Sequence, residues 1–63
     1  MAFGKNLKEL RESENLTQGE LAEKIGISQV AISQFEQGIR NPKLTTLKLL
    51  AGFFRTSVER LTQ

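Results

Sequence analysis

The stretch that decides the fold is TQGELAEKIGISQVAISQFEQG, residues 17–38. It contains two consecutive units in which a capping residue is followed, about ten residues later, by a glycine. Thr17 can cap a first helix, with Glu20 three residues later completing a capping box, and Gly26 supplies the left-handed residue that ends this helix. Ser28 can cap a second helix that ends at Gly38. The stretch therefore predicts two short helices separated by a tight turn.

The apolar side chains of this stretch are spaced to meet where the two helices cross. They are Leu21, Ile25, Ile27, Ile32 and Phe35. Two helices that pack at a corner through a short turn form a helix-turn-helix motif, which is the structure we predict for residues 17–38.

The chain before the motif predicts one further helix. Phe3, Leu7 and Leu10 recur at i, i+4 and i+7, which indicates an amphipathic helix over residues 3–14 that Asn15 ends.

The chain after the motif predicts a loop and two more helices. Pro42 makes residues 39–44 a loop, because it cannot donate a backbone hydrogen bond and biases its predecessor away from helical geometry. Thr45 or Thr46 can cap a fourth helix, and Ser57 a short fifth one. No strand pattern appears, so the expected fold is all-α, with residues 1–63 forming one domain.

Composition and charge narrow the functional class. The chain has no His, Cys, Asp or Tyr, so an enzyme, a metal site and a cofactor are not expected. No apolar run approaches the roughly 20 residues that span a bilayer, and we expect a cytoplasmic protein.

Residues 1–36 carry four basic and six acidic side chains, whereas residues 37–63 carry five basic ones and only Glu59. The basic excess begins where the motif ends, at the place where a loop could bind a nucleic-acid backbone.

The second helix of the motif has an exposed face suited to DNA. At about 100° per residue, one side of this helix carries Gln29, Val30, Ser33, Gln34 and Gln37. This side is rich in glutamine and has no acid. A glutamine amide can form two hydrogen bonds with adenine, and a valine can pack on a thymine methyl group. The alternative is an ordinary polar helix face.

The motif sequences also resemble a known family. LTQGELA (16–22), GIS (26–28), ISQFEQG (32–38) and RNP (40–42) look like the lambda-type phage repressor and Cro family, also called the Xre-like helix-turn-helix family. The likeness covers roughly residues 5–61, and Gln18, Glu36, Gly38 and Pro42 fall where the family has them. It implies a five-helix DNA-binding domain, and most such domains belong to transcriptional regulators.

The resemblance also assigns roles to individual residues. The family's recognition helix enters the major groove with its amino end first, which implies base contacts from Gln29, Val30, Ser33 and Gln34. Contacts to the DNA backbone, which position the protein but read no sequence, are expected from Gln18, Thr17, Ser28, Gln37, Arg40, Asn41 and Lys43. The alternative for the loop charges is a purely solubilising role. Arg11 and Glu36 match a semi-buried ion pair of the family, or they are ordinary surface charges.

The fourth helix departs from the family's pattern. The family places glycine after this helix, where this chain has Arg55, so we expect the helix to end differently or to run on. Gly52, inside the helix, suggests that a neighbouring backbone approaches closely. Leu49 and Phe53 form a second apolar stripe. Together with Arg60 and Leu61, this stripe is either a self-association patch or part of the packing within the chain.

Two functional hypotheses follow. The first is a sequence-specific regulator of transcription, a repressor of phage or bacterial type, that binds double-stranded DNA as a homodimer at a near-palindromic operator. The second is a protein-interaction module, such as an antitoxin, that uses the patch to bind a toxin or a second domain. No contact with a membrane is expected in either case.

Overall fold

Five helices account for most of the chain in the computed structural model, which describes residues 2–63. They are α1 (Phe3–Ser13), α2 (Gln18–Ile25), α3 (Gln29–Gln37), α4 (Leu44–Phe53) and α5 (Val58–Thr62). The described residues contain no strand, so the predicted all-α fold is confirmed. The helix-turn-helix motif consists of α2 and α3, as expected.

Local hydrogen bonds explain where α2 and α3 begin and end. The Thr17 hydroxyl oxygen accepts from the Glu20 N–H at 3.0 Å, and the Glu20 carboxylate accepts from the Thr17 N–H at 2.8 Å. The Ser28 hydroxyl oxygen accepts from the N–H three residues later at 3.1 Å. Gly26 and Gly38 take left-handed φ values of 85° and 77°. The predicted caps and ends of both helices are therefore confirmed.

Helix α4 differs from the prediction at both ends. It begins at Leu44 after an extended Lys43, whose carbonyl oxygen already accepts the Leu47 N–H at 2.9 Å and closes the first turn. The prediction that Thr45 or Thr46 caps this helix is therefore wrong.

At its carboxyl end, α4 stops at Phe53 and Arg55 adopts a left-handed φ of 55°. The Thr56 N–H donates to the Ala51 carbonyl oxygen and the Arg55 N–H donates to the Gly52 carbonyl oxygen, which is a Schellman motif. The helix thus neither runs on nor ends in a different way. The hydrogen bonds of the motif hold the arginine where glycine is usual.

Two expectations about the outer surface of α4 and α5 are also wrong. Gly52 is exposed, and apart from its chain neighbours and the adjoining helix backbone no atom of the described residues lies within 4 Å of the position that a Cβ would take, so no other segment approaches it. Leu61 is only 1% exposed and belongs to the core, so it cannot line a surface patch. Leu49 is 54% exposed, Phe53 is half-buried with its ring edge-to-face against Phe54, and Arg60 is exposed.

The core lies between all five helices. Its buried apolar side chains are Phe3, Leu7, Leu21, Ala22, Ala31, Ile32, Phe35, Leu50, Ala51 and Leu61. Of the residues expected at the corner of the motif, Ile25 and Ile27 lie at the margin of this core and are half-buried. Helix α1 packs on α3 and α5, α2 packs on α3 and α4, and α4 packs on α5. This arrangement holds α3 from behind and leaves its other face free.

Helices α1 and α3 lie very close together, and Gly4 makes this possible. A Cβ at Gly4 would overlap the Phe35 carbonyl oxygen and would lie 3.0 Å from the Glu36 carbonyl oxygen. Beside this contact, the Phe3 and Phe35 rings pack edge-to-face with centroids 5.7 Å apart. The Asn6 amide donates to the carbonyl oxygens of Leu61 and Gln63, each at 3.0 Å, and so joins α5 to α1.

Candidate nucleic-acid interface

The exposed face of α3 carries the side chains that the sequence analysis placed there. Gln29, Val30 and Gln37 are exposed, with Val30 at 63%, and Ser33 and Gln34 are half-buried. The opposite face, with Ala31, Ile32 and Phe35, is buried. The exposed face therefore offers amide and hydroxyl groups and one apolar side chain, with no carboxylate among them.

Several of these polar side chains are paired with each other. The Gln37 amide donates to the Ser33 hydroxyl oxygen at 2.8 Å, and an Arg40 N–H donates to the Gln34 amide oxygen at 3.3 Å. The Arg40 guanidinium also lies 5.6 Å from the centroid of the Phe35 ring, within the range of a cation–π contact. These contacts hold Arg40 beside α3 and leave the Gln34 amide nitrogen free to donate to another group.

The amino ends of α2 and α3, which begin at Gln18 and Gln29, offer hydrogen-bond donors. At α2, the capping box satisfies the N–H groups of Thr17 and Glu20. The N–H groups of Gln18 and Gly19 have no acceptor among residues 2–63. Such free N–H groups, together with the positive end of the helix dipole, favour an anion. The hydroxyl oxygens of Thr17 and Ser28 accept the capping bonds, so each hydroxyl hydrogen remains available to donate.

An ion pair behind this surface joins three helices. Two guanidinium N–H groups of Arg11 donate to the two carboxylate oxygens of Glu36, at 2.7 and 3.0 Å, and a third donates to the Leu16 carbonyl oxygen at 2.7 Å. The Gln18 amide donates to Glu36 as well, at 3.0 Å. The Arg11 and Glu36 side chains are only 11% and 4% exposed. The hydrogen bond to Glu36 raises the pKa of Arg11 above its ordinary value. The expected pair is present, and it is buried.

Comparison with known proteins identifies the family. The family model described as helix-turn-helix matches residues 7–61. The chain belongs to the helix-turn-helix family. It is 39% identical over 61 residues to the HTH-type transcriptional activator BcrR of Enterococcus faecalis, an alignment that covers 97% of this chain and 30% of BcrR.

The chain is also similar to a phage repressor and to a DNA-binding domain of known structure. The chain is 38% identical over 52 residues to the immunity repressor protein of Bacillus phage phi105, covering 82% of this chain and 36% of the repressor. The N-terminal DNA-binding domain of SinR from Bacillus subtilis superposes with a TM-score of 0.90 at 27% identity, covering 98% of this chain and 91% of that domain. The chain spans about a third of the length of BcrR and of the phage repressor.

Beyond the helix-turn-helix itself, the loop after α3 adds positive charge to the same surface. Arg40, Asn41 and Lys43 are all exposed, and among residues 37–63 the only acid is Glu59, on α5. The described residues contain no group of His, Cys, Asp or Glu side chains that could hold a metal ion. None of the five helices is long and apolar enough to cross a bilayer.

Sequence reasoning missed three contributions to this helix-turn-helix surface. Glu36 binds Gln18, a contact between α3 and α2 that no spacing rule indicates. Gly19 lies against the Gln29 side chain, and Gly4 lets α1 support α3 from behind. The two glycines had a detectable signal, since glycine is unfavourable inside a helix and often marks a close contact.

Proposed function

We propose that the chain is a sequence-specific, double-stranded DNA-binding regulator of transcription in which α3 lies in the major groove. The observation that carries this proposal is the exposed face of α3. Its amides, hydroxyl and valine have no carboxylate among them, and the free N–H groups of α2 and the basic loop border it. Amide, hydroxyl and methyl groups can contact base edges, whereas backbone N–H groups and basic side chains bind phosphates.

Within this proposal each residue has one of two roles. Gln29, Val30, Ser33 and Gln34 contact base edges. Contacts to phosphates come from the first turn of α2, the cap of α3 and the basic loop, that is from Thr17, Gln18, Ser28, Gln37, Arg40, Asn41 and Lys43. One N–H of the Gln18 amide is bound to Glu36, so its other N–H and its backbone N–H would face the phosphate. The Arg40 side chain would leave Gln34 for a phosphate, because its hydrogen bond of 3.3 Å to the uncharged Gln34 amide is weaker than one to a charged phosphate oxygen.

We further propose that two copies bind a near-palindromic operator in a cytoplasmic setting and repress by occluding a promoter. A module of this size offers few contacts, and pairing two modules raises affinity and fixes the spacing of half-sites at about one helical turn. We assign the second copy to a surface that contains the exposed Leu49, the half-buried Phe53 one turn later and the exposed Arg60 of α5. Leu49 is 54% exposed and Phe53, four residues later, is half-buried, and neighbouring apolar side chains of this kind can form the contiguous patch that marks a protein interface.

The test is selection of binding sites from a random duplex library, with the affinity of the winning sites measured at several salt concentrations. A two-fold symmetric consensus supports the proposal. Enrichment of no sequence, with steeply salt-dependent binding to every duplex, refutes base reading by α3.

Two variants separate base contacts from phosphate contacts. Gln29→Ala should relax the preference at one adenine position, whereas Arg40→Ala should weaken binding to all duplexes evenly and reduce the salt slope by about one.

The exposed Leu49 also favours a second candidate function, an interaction module such as an antitoxin that binds a protein of another sequence. Sedimentation of the chain alone and on its selected duplex decides between the two. Two copies on one duplex, reduced to one by Leu49→Ser, support the homodimer. A single copy on an asymmetric site refutes it and favours the interaction module.

A further inference from the structure

Gly19, in the first turn of α2, is packed against the side chain of Gln29. A Cβ built on Gly19 would lie 3.2 Å from the Gln29 amide oxygen and 3.7 Å from its amide carbon. The next nearest side-chain atom is the Thr17 hydroxyl oxygen, at 3.9 Å. The Gln29 amide therefore rests on the first turn of α2, in a space that exists because residue 19 has no side chain.

The backbone does not require glycine at this position. Gly26 and Gly38 have positive φ values, and a Cβ on Gly4 would overlap the backbone of α3. Gly19 has neither feature: it is helical, its φ is not positive, and its nearest neighbour is the end of a flexible side chain. A better helix former would be accepted there if only the helix mattered. The absence of a side chain at position 19 therefore affects the position of the Gln29 amide and not the backbone of α2.

We infer that Gly19 is a specificity-determining position, because it sets the place from which Gln29 reads a base. This inference rests on the proposed DNA-reading function. Gln29 is exposed, and a free glutamine side chain has three rotatable bonds to fix before it can pair with a base. The first turn of α2 gives the amide a surface to lie on, and its oxygen lies near the positive end of the helix dipole. An amide that is already placed loses less freedom on binding, so more of its pairing energy becomes discrimination between bases.

The test uses a graded pair of substitutions and a matched control. Gly19→Ala should move the Gln29 amide by a few tenths of an ångström, and Gly19→Leu should expel it from the space. Gly52→Ala is the control, since Gly52 is also helical, whereas its Cβ would lie within 4 Å of no other segment of the described chain. Discrimination is the ratio of affinities for the selected duplex and for the duplex changed at the one base pair that Gln29→Ala identifies.

The expected result is specific to that base pair. A bidentate contact is worth about five- to 150-fold in discrimination, and Gly19→Leu should lose most of it while preferences at other positions are retained. Gly52→Ala should keep the full ratio. In a Gln29→Ala background, Gly19→Leu should change the ratio no further, because the side chain through which it acts is gone. A purely structural role for Gly19 would instead lower affinity equally at all positions in both backgrounds.

The position of the Gln29 amide can also be tested in the free protein, without DNA, by nuclear magnetic resonance. The side-chain amide resonances of Gln29 should shift in Gly19→Ala and stay unchanged in Gly52→Ala. Unshifted resonances in Gly19→Ala overturn the inference even if Gly19→Leu folds poorly. If the wild type selects no sequence, the proposed function fails and the inference fails with it. If the wild type discriminates at the Gln29 base pair and Gly19→Leu does so equally well, only the inference fails.

Discussion

The substitution Glu36→Ala tests whether the buried ion pair holds the three helices together. It removes the acceptor of two hydrogen bonds from Arg11 and one from Gln18. The Arg11 guanidinium would remain 11% exposed, with the Leu16 carbonyl oxygen as its only acceptor. Breaking a buried pair in this way costs about 3–5 kcal/mol, because the remaining charge loses its hydrogen-bonded partner in a place that water hardly reaches.

This cost is large compared with the stability of so small a domain. A chain of 63 residues has a free energy of unfolding of roughly 3–9 kcal/mol. We therefore expect Glu36→Ala to lower the midpoint of thermal unfolding by more than about 12 °C, or to unfold the chain at room temperature. Urea titration followed by circular dichroism gives the free energy directly if the fold survives.

Two further variants test whether the lost stability comes from the unpaired Arg11 charge. Glu23→Ala removes an exposed acid of α2 and should change the free energy of unfolding by no more than about 0.5 kcal/mol. The double variant Arg11→Met/Glu36→Leu replaces the pair by apolar side chains and should recover most of the stability that Glu36→Ala loses. Two results would show that the stranded Arg11 charge does not determine the loss of stability. One is a loss below about 1 kcal/mol in Glu36→Ala. The other is a double variant whose loss equals the sum of the losses in Arg11→Met and Glu36→Leu measured singly.

Three other outcomes follow from particular contacts. Gly4→Ala should destabilise the fold by about 1–3 kcal/mol in urea titration, because its Cβ would overlap the Phe35 carbonyl oxygen and push α1 away from α3; an unchanged midpoint would contradict this close approach. Arg55→Gly should raise the free energy of unfolding by up to about 1 kcal/mol, since glycine takes a φ of 55° without strain, and a loss of stability would contradict it. Hydrogen bonds from Thr17 lower the pKa of Glu20 below its ordinary value of 4.5. The unfolded chain therefore binds a proton first as the pH falls, so stability should decline below about pH 4.5, and Glu20→Gln should flatten that part of the pH profile.

The sequence was sufficient to predict the parts of the fold that local chemistry controls. The capping box at Thr17 and Glu20 and the left-handed glycines depend on residues within one turn of each other, so the bounds of α2 and α3 were predictable. The start of α4 was not, because Thr45 and Thr46 are good caps that the chain does not use once Lys43 has closed the turn before them. Local preference was outweighed there by the course of the preceding loop.

Contacts between helices could not be predicted from spacing alone. Helical periodicity left open whether Leu49 lies on the surface or packs within the chain, and it could not tell that Leu61 of the short α5 turns into the core. Periodicity also assigned the polar side chains of α3 to one face without showing their partners. The side chains of Gln34, Gln37, Arg40 and Ser33 can each hydrogen-bond to more than one partner, so three-dimensional placement decides which of these bonds form.

The Arg11–Glu36 pair also bears on DNA binding. Glu36 is the only acid of α3, and its carboxylate is bonded to Gln18, a residue we propose at a phosphate. An unpaired carboxylate at that place would repel the DNA backbone. The bidentate contact with Arg11 compensates its charge, and the Glu36 Oε1 that accepts one of the two Arg11 hydrogen bonds accepts the Gln18 amide as well. The same pair thus stabilises the packing of α1 on α3 and permits an anion to approach the amino end of α2.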